Sequence, residues 1–391
     1  MKNFFSLPQI SAGFVAILIG YSSAAAIVFQ AARAAGGTPE QVGSWLWALG
    51  IAMGVMGIAL SLYYRQPILI AWSTPGAALL VTSLQGVDMS QAVGAFIFCS
   101  ALITLCGVTG WFDKIMKLVP QCLANAMLAG VLLRFALEIF PAFQSESLIV
   151  GAMTVLYILG KWRKSPFSVP LSFAIGIVTA FSLGKIDFSH ITFAFTQPVW
   201  VTPEFDMSIM IGVGLPLFVV TMASQNVPGI AVLRAHGYNV AASPLISWTG
   251  LMGVLLSPFG GYAYNLAAIT AAVCMGEDVH KDPKKRYISA VWAGIFYLFA
   301  GVFGVTVASF FTSFPHALVA AIAGLALLGT IANSLNFAFA ETDGREAAIL
   351  TFVITASSAS LFGIGAPFWG LIVGVVTYHL MNHTGLNKRV V

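Results

Sequence analysis

The sequence predicts an all-α, polytopic membrane protein of fourteen transmembrane segments arranged as a seven-plus-seven inverted repeat. Segments 3 and 10 are each expected to be a short strand followed by a half-helix. Three observations lead to this prediction: the composition, a stretch that recurs half a chain away, and two interrupted apolar runs. Of the 391 residues, 59% are hydrophobic and 8% are charged, and the mean hydropathy is +0.91. Soluble domains carry about 25% charged residues, so most of this chain must face lipid or other apolar helices.

Fourteen apolar runs follow one another, most of them of the length that crosses a bilayer, about 17–25 residues. In order, they are 11–32, 41–62, 68–84, 91–109, 121–140, 147–162, 167–183, 207–231, 242–256, 261–275, 287–310, 315–335, 347–362 and 366–382. If the amino terminus is cytoplasmic, the connections place fifteen Lys and Arg residues inside and two, Arg33 and Lys185, outside. Cytoplasmic connections carry the excess of positive charge in membrane proteins, so both termini are predicted to be cytoplasmic.

An internal repeat is indicated by two similar stretches. VPQCLANAMLAGVLL (119–133) matches FPHALVAAIAGLALL (314–328) with one gap, and the offset of about 195 residues is half of the chain. Seven is an odd number of spans, so the second repeat (191–391) would be inverted relative to the first (1–190). Inverted repeats are typical of secondary transporters, whose site lies at the midplane where discontinuous helices meet. A chance match between two apolar helices is the alternative.

The third run is interrupted at its centre by WSTPG (72–76). Pro costs about 3 kcal/mol in a helix interior but is favoured in the first turn, and Ser and Thr are favoured just before that turn. A helix is therefore predicted to begin near Ser73 and Thr74, half-way across the membrane, after a strand at 68–72.

The tenth run, SPFGGYAYNLAAITAAVCMG (257–276), has the same organisation. It predicts a strand at 261–263 and a half-helix from Tyr264 and Asn265. In an inverted repeat the two helix starts would face each other. Each start has unpaired N–H groups and about half a positive charge, so the pair would form an anion site without Lys or Arg.

Polar residues within the runs are candidates for lining this site, because such residues are costly in lipid. Gln225 and Asn226 lie in TMASQNVPG (221–229), near a Pro-Gly break in the eighth run. The predicted substrate-binding residues are Tyr21, Ser73, Thr74, Gly76, Gln225, Asn226, Tyr264 and Asn265. Helix–helix hydrogen bonding, packing and plain helix capping are the alternatives for several of them.

Arg134 and Glu138 lie four residues apart in the fifth run, and we expect a structural ion pair between them. The four cysteines all lie in apolar runs without metal-ligand spacing and are interpreted as packing residues. The motifs HExxH, GxxxxGK[ST] and GxSxG are absent. We therefore predict no enzymatic activity, no cofactor, no metal and no nucleic-acid partner.

Several segments together resemble the benzoate:proton symporter family of bacterial inner membranes. These segments are AWSTPGAALL (71–80), LPLFVVTMASQNVPGIA (215–231), SPFG (257–260) and AAITAA (267–272). The resemblance implies the inverted-repeat fold shared with nucleobase:cation symporters and sulfate permeases. It also implies a core domain of spans 1–4 and 8–11 that moves against a gate domain of spans 5–7 and 12–14.

The resemblance further implies a site between spans 1, 3, 8 and 10. Nucleobase symporters carry carboxylates on spans 8 and 10, where this chain has the neutral sequences SQN (224–226) and YN (264–265). That difference argues against a nucleobase and suits an anion, which a carboxylate would repel. The substrate's carboxylate is expected between the helix starts, near Thr74 and Asn265, with Tyr264 beside the ring and Gln225 and Asn226 donating from the side.

The function implied by the resemblance is import of benzoate or a similar aromatic carboxylate with protons across the bacterial inner membrane. The expected partners are that small carboxylate, protons and membrane lipid, and a homodimer through the gate domains is left open. A passive anion channel, or a transporter of another small organic anion on the same fold, is the alternative, and a membrane-embedded enzyme is a more distant one.

The coupling proton has no obvious carrier. Of the fourteen acidic residues, thirteen fall in loops or at span ends, and Glu138 lies towards the outer end of its span. Either the substrate's own carboxylate takes the proton, since desolvation raises the pKa of a carboxyl group, or a protein group does so, with Glu138 the first candidate.

Overall fold

The computed structural model describes residues 4–111, 120–165, 167–187, 189, 191, 193–277, 279–340, 342–357, 359–361 and 364–383. Some of the basic residues predicted to be cytoplasmic are not among the described residues: Lys2, Lys114, Lys117, Lys388 and Arg389. The helices of the first half are α1 (Leu7–Ala34), α2 (Pro39–Tyr64), α3 (Thr74–Ser83), α4 (Met89–Val108), α5 (Gln121–Leu137), α6 (Ile139–Ser145), α7 (Ser147–Trp162) and α8 (Ser168–Ser182).

The second half is also mainly helical. Its helices are α9 (Met207–Arg234), α10 (Ala242–Leu256), α11 (Ile269–Val273), α12 (Tyr287–Val302), α13 (Gly304–Ser313), α14 (His316–Ala338), α15 (Arg345–Ala356) and α16 (Ala366–His383). The described strands form two antiparallel pairs: β1 (Ile70–Trp72) with β2 (Tyr264–Leu266), and β3 (Ser360–Leu361) with β4 (Ile364–Gly365).

Each predicted run contains at least one helix. By length and composition, six helices in the described ranges can cross a membrane, or eight if each of two bent pairs counts as one span. The eleventh run is one of the bent pairs, with an angle of 69° between its two parts. The thirteenth run was predicted to extend to residue 362, but α15 ends at Ala356 and the β3–β4 hairpin follows.

Helix starts follow the capping signals in the sequence. At the start of α2 the hydroxyl of Thr38 accepts from the N–H of Gln41, and the Gln41 side chain accepts from the N–H of Thr38. Pro39 occupies the first turn, where its missing N–H would have no intrahelical partner. This capping box fixes the start of α2, an apolar helix of 26 residues.

Close packing of α2 on α12 depends on glycines. A Cβ atom on Gly50 would lie 2.5 Å from the Cα of Gly301, and one on Gly54 would lie 2.7 Å from the carbonyl oxygen of Gly294. The two backbones therefore approach each other directly, as small residues allow in membrane helices. On α12, Tyr297 is buried, whereas Phe299 is exposed.

The two interrupted runs meet at a strand crossing, as predicted. Ile70 pairs with Leu266, Ala71 with Asn265 and Trp72 with Tyr264. The N–H of Ser73 donates to the carbonyl oxygen of Ala263 at 3.2 Å, which extends the pairing by one residue. The paired backbones satisfy each other within the membrane, where unpaired polar groups are costly.

The second strand lies later in the chain than predicted. It spans Tyr264–Leu266 instead of 261–263, and α11 begins at Ile269 instead of near Tyr264 and Asn265. Residues before it form a turn, because Gly260 has φ +93° and Ala263 has φ +41°. The turn delays the extended segment by three residues, so Tyr264 and Asn265 belong to a strand and do not begin a helix.

Helix α9 also departs from the prediction. The sequence SQNVPG predicts a break, whereas the helix continues through a π-helical turn at Met222–Asn226 and on past Pro228. The wider turn accommodates a proline that has no N–H to donate. A second π-helical turn spans Met210–Gly214.

Candidate functional site

Ser73 caps helix α3. Its hydroxyl oxygen accepts from the N–H of Gly76 at 3.0 Å and from the hydroxyl of Thr221 at 3.1 Å, and its carbonyl accepts from Ala77 at 2.8 Å. Gly76 is equally constrained, because a Cβ there would lie 2.7 Å from Leu217. Ser73 therefore acts as a helix cap, which was the alternative to substrate binding. The lack of a side chain at Gly76 allows α9 to approach the start of α3.

Thr74 remains available at this helix start. Its side chain is half-buried and makes no hydrogen bond within the described ranges. Pro75 has no N–H, and the N–H groups of Gly76 and Ala77 are already bonded to Ser73. The start of α3 can therefore offer a ligand the hydroxyl and the N–H of Thr74.

The start of α11 differs from that of α3, because no side chain caps it. In the described part of the chain, the N–H groups of residues 269–271 donate to no acceptor. The preceding Ala267 donates to Leu69, so the first unpaired groups follow directly on the strand crossing. Helix α11 has five residues, so its contribution consists of these N–H groups and the half-buried Thr270, and its helix dipole is small.

Gln225 and Asn226 are adjacent in the π-helical turn but have different surroundings. Asn226 is buried; its Oδ1 accepts from the N–H of Leu266 at 3.0 Å, and its Nδ2 donates to Met222 Sδ at 3.2 Å. Asn226 thus attaches strand β2 to α9, and one of the two N–H groups of its amide is engaged by the Met222 sulfur. Gln225 is half-buried and has no side-chain partner among the described residues.

Tyr264 and Asn265 are both fully buried in β2. The hydroxyl of Tyr264 donates to the carbonyl of Ala48 in α2 at 2.9 Å, so this side chain is held between strand and helix. The Nδ2 of Asn265 donates to Ala263 at 3.2 Å, while its Oδ1 has no donor among the described residues. A buried carbonyl oxygen without a donor is uncommon and costly.

Aromatic side chains gather beside the strand crossing. The Tyr21 ring lies 4.9 Å from the Trp72 ring, edge to face, and 6.1 Å from the Tyr297 ring. The Tyr21 hydroxyl is buried and has no partner within the described ranges. A Cβ on the neighbouring Gly20 would lie 3.0 Å from the Tyr297 hydroxyl and 4.0 Å from Thr270. The rings of α1, β1 and α12 therefore converge near the uncapped start of α11.

The structure thus brings Tyr21, Thr74 and Asn265 together at the strand crossing with unpaired polar groups, whereas Gln225 has an unpaired amide in the π-helical turn of α9. Sequence reasoning missed Trp72 and Tyr297. Trp72 was visible as part of the broken run, but Tyr297 lies in a long apolar helix where no local pattern separates it from packing aromatics. Only the approach of α12 to α1 identifies it.

The predicted ion pair between Arg134 and Glu138 is wrong. Among the described residues one salt bridge forms, between Lys185 and Glu146. Both Arg134 and Glu138 are exposed. Glu138 lies at the junction where α5 ends and α6 begins, and a basic residue preceding an acidic one by four positions is the less favourable order on a helix.

Comparisons with known proteins agree with this architecture. The family model of benzoate membrane transport proteins matches residues 3–380. The chain is 47% identical over 375 residues to inner membrane protein YdcO of Escherichia coli strain K12, covering 96% of each chain. It is 38% identical over 381 residues to the benzoate membrane transport protein of Acinetobacter baylyi, covering 97% of each.

Similar solved structures show the fold. The transmembrane domain of the cyanobacterial bicarbonate transporter BicA matches with a TM-score of 0.60 and 11% identity, over 95% of this chain and 96% of that one. The murine anion transporter Slc26a9 in its inward-facing state matches with a TM-score of 0.59 and 12% identity, over 97% of this chain and 68% of that one. This chain therefore has a mainly helical membrane-transporter fold.

Proposed function

Because the chain belongs to the family of benzoate membrane transport proteins, we propose that it imports benzoate or a similar aromatic carboxylate together with protons across the bacterial inner membrane. Family membership makes the chain a multi-pass membrane transporter and not an enzyme. Substrate, coupling and orientation are the parts that we propose.

We propose the fourteen-segment arrangement with two inverted repeats and both termini in the cytoplasm. Helix packing supports a division into core and gate domains. In the proposed core, α2 packs on α12, α4 on α10 and α1 on α3, whereas in the proposed gate α5 packs on α14 and α15, and α7 on α8. A homodimer would form through the gate domains.

One observation carries the proposed substrate. The start of α11 has unpaired N–H groups, and its Thr270 approaches the same point of α1, Gly20, as the Tyr297 hydroxyl, next to the Tyr21 and Trp72 rings. N–H and hydroxyl donors suit a carboxylate, and aromatic rings suit a ring that packs edge to face. The proposed pose directs the carboxylate to Thr74 and the start of α11, with Gln225 donating from the side.

Proton coupling is proposed to occur on the substrate itself. The Oδ1 of Asn265 is buried without a donor, and the O–H of a neutral carboxylic acid would supply that donor. Desolvation favours the neutral acid because it raises the pKa of a carboxyl group, ordinarily about 4. Glu138, exposed at the junction of α5 and α6, is the alternative proton carrier.

The test is uptake of radiolabelled benzoate into proteoliposomes under an inward pH gradient. A symporter accumulates benzoate above its external concentration, and a proton ionophore collapses the gradient and the accumulation together. A passive channel would only equilibrate the anion with its electrochemical gradient. Protein-free liposomes correct for diffusion of neutral benzoic acid, and no uptake above that control would reject benzoate as the substrate.

A further inference from the structure

A cavity of about 220 Å³ lies between α1 and α3 on one side and α5 and α14 on the other. Its polar lining consists of Gln30, Arg134, Glu138 and His316, and apolar side chains of α3, α5 and α14 complete it. None of these residues belongs to the strand crossing. The cavity separates helices of the proposed core from helices of the proposed gate.

Arg134 gives this cavity a positive group without a fixed counter-ion. It lies within the apolar helical segment Gln121–Ser145, and its side chain makes no ion pair or hydrogen bond with any described residue. An arginine within a membrane-spanning segment is costly unless it faces a partner or water. Glu138 and His316 are the other titratable groups that line the cavity, and both are exposed to it.

Two helices, α1 and α3, carry residues of both the cavity and the region of the strand crossing. Val81, which lines it, lies seven residues after Thr74 on α3, a rise of about 10 Å. Gln30 lies nine residues after Tyr21 on α1, a rise of about 14 Å. An anion held at Arg134 would therefore be within a short path of Thr74 and the Tyr21 ring.

We propose that this cavity is a second carboxylate-binding site, in which Arg134 holds the anion and Gln30 and His316 contribute donors before it moves to the strand crossing. The guanidinium group matches a carboxylate with two parallel hydrogen bonds. Glu138, one helical turn away, also lines the cavity but forms no ion pair with Arg134. The cavity is smaller than drug-sized sites of about 300–1,000 Å³, so it suits a single-ring acid. This inference rests on the proposed function.

The test measures the reactivity of a cysteine placed in the cavity, Gln30→Cys, after the four buried native cysteines are replaced by alanine. Two methanethiosulfonate reagents are compared on folded protein in liposomes, one bearing a sulfonate and one a trimethylammonium group. We expect the ratio of sulfonate to trimethylammonium rates to fall roughly tenfold in Arg134→Gln, because one nearby positive charge is removed, and to be largely retained in Arg134→Lys.

The matched control is Arg33→Gln. Arg33 lies three residues from Gln30 on the same helix but does not line the cavity; its guanidinium carbon lies 5.5 Å from the centre of the Phe29 ring. An unchanged rate ratio in Arg134→Gln would overturn the proposal. An equal fall in Arg33→Gln would also overturn it, because the general charge of the surface would then explain both results.

Benzoate is the second probe. At concentrations that saturate uptake, it should slow the reaction of Gln30→Cys with the sulfonate reagent severalfold, and this protection should be lost in Arg134→Gln. If benzoate is taken up normally but gives no protection, the second site is rejected while the proposed function stands. If benzoate is not taken up at all but the rate ratio still depends on Arg134, the proposed substrate is rejected and the anion site is retained.

Discussion

Gln225 and Asn226 show how two neighbouring amides serve different purposes at the residue scale. Asn226 is committed to strand β2, whereas Gln225 has no partner in the described ranges. Asn265 also keeps one unpaired atom, Oδ1, at the crossing. These differences separate the residues proposed to bind substrate from the residue that holds strand β2 in place.

For substrate binding, we expect Gln225→Ala and Asn265→Ala each to weaken benzoate affinity. Loss of one neutral hydrogen-bonding group from a charged or acidic ligand costs about 1.5–3 kcal/mol, or roughly 10- to 150-fold in affinity. The measurement is isothermal titration calorimetry on purified, folded protein. Asn125→Ala is the matched control, because Asn125 donates to the backbone of its own helix in the proposed gate. Wild-type affinity in both site variants would refute the proposed pose.

For Asn226→Ala we expect a loss of stability. The substitution leaves the buried N–H of Leu266 without its acceptor, at a cost of about 1–3 kcal/mol. The midpoint of thermal unfolding in detergent should therefore fall below that of Gln225→Ala. If Asn226→Ala unfolds like the wild type but binds benzoate poorly, Asn226 contacts the ligand after all.

Glu138→Gln decides between the two proton carriers. Because the substrate is proposed to carry the proton, this variant should accumulate benzoate under a pH gradient at a near-normal rate once protein amounts are matched. Glu146→Gln, which removes the carboxylate of the Lys185 ion pair, is a control for loss of an outer acidic group. Normal binding with lost accumulation in Glu138→Gln would assign the proton to Glu138.

At the element scale, the contact between α2 and α12 matters for the site, because α12 brings Tyr297 to the Tyr21 ring. Gly50 permits this contact, since a Cβ there would lie 2.5 Å from the Cα of Gly301. We expect Gly50→Ala to destabilise the protein by about 1–3 kcal/mol, the usual range for an overpacked core.

The control for that substitution lies on the same helix. A Cβ on Gly57 would meet nothing closer than 3.9 Å, so Gly57→Ala should unfold near the wild-type temperature. The comparison is a thermal unfolding curve in one detergent for both variants. Equal midpoints would mean that the two helices separate easily and do not fix the aromatic cluster.

At the scale of the whole molecule, transport requires the strand crossing to face each side of the membrane in turn. One proton carried with one monoanion moves no net charge. We therefore expect benzoate uptake to be electroneutral: on a solid-supported membrane, wild-type protein should give no sustained current while uptake proceeds. A current that scales with uptake would show that a further ion is carried and would require a separate proton or cation site.

The membrane class, the order of the apolar runs and the meeting of two interrupted runs follow from local signals in the sequence. WSTPG fixes where α3 begins, because Ser is favoured as the cap of a helix and Pro in its first turn. The second half-helix could not be located in this way, since the turn at Gly260 and Ala263 depends on what packs around it and delays β2 by three residues.

Likewise, the sequence marks Asn226, Tyr264 and Arg134 as polar groups in apolar surroundings. Only tertiary contacts decide that Asn226 bonds to Leu266, that Tyr264 bonds to Ala48 and that Arg134 lines a cavity without Glu138 as its ion-pair partner. The reason is that capping and hydropathy act over a few neighbouring residues, whereas the partner of a buried polar group is supplied by a distant part of the chain.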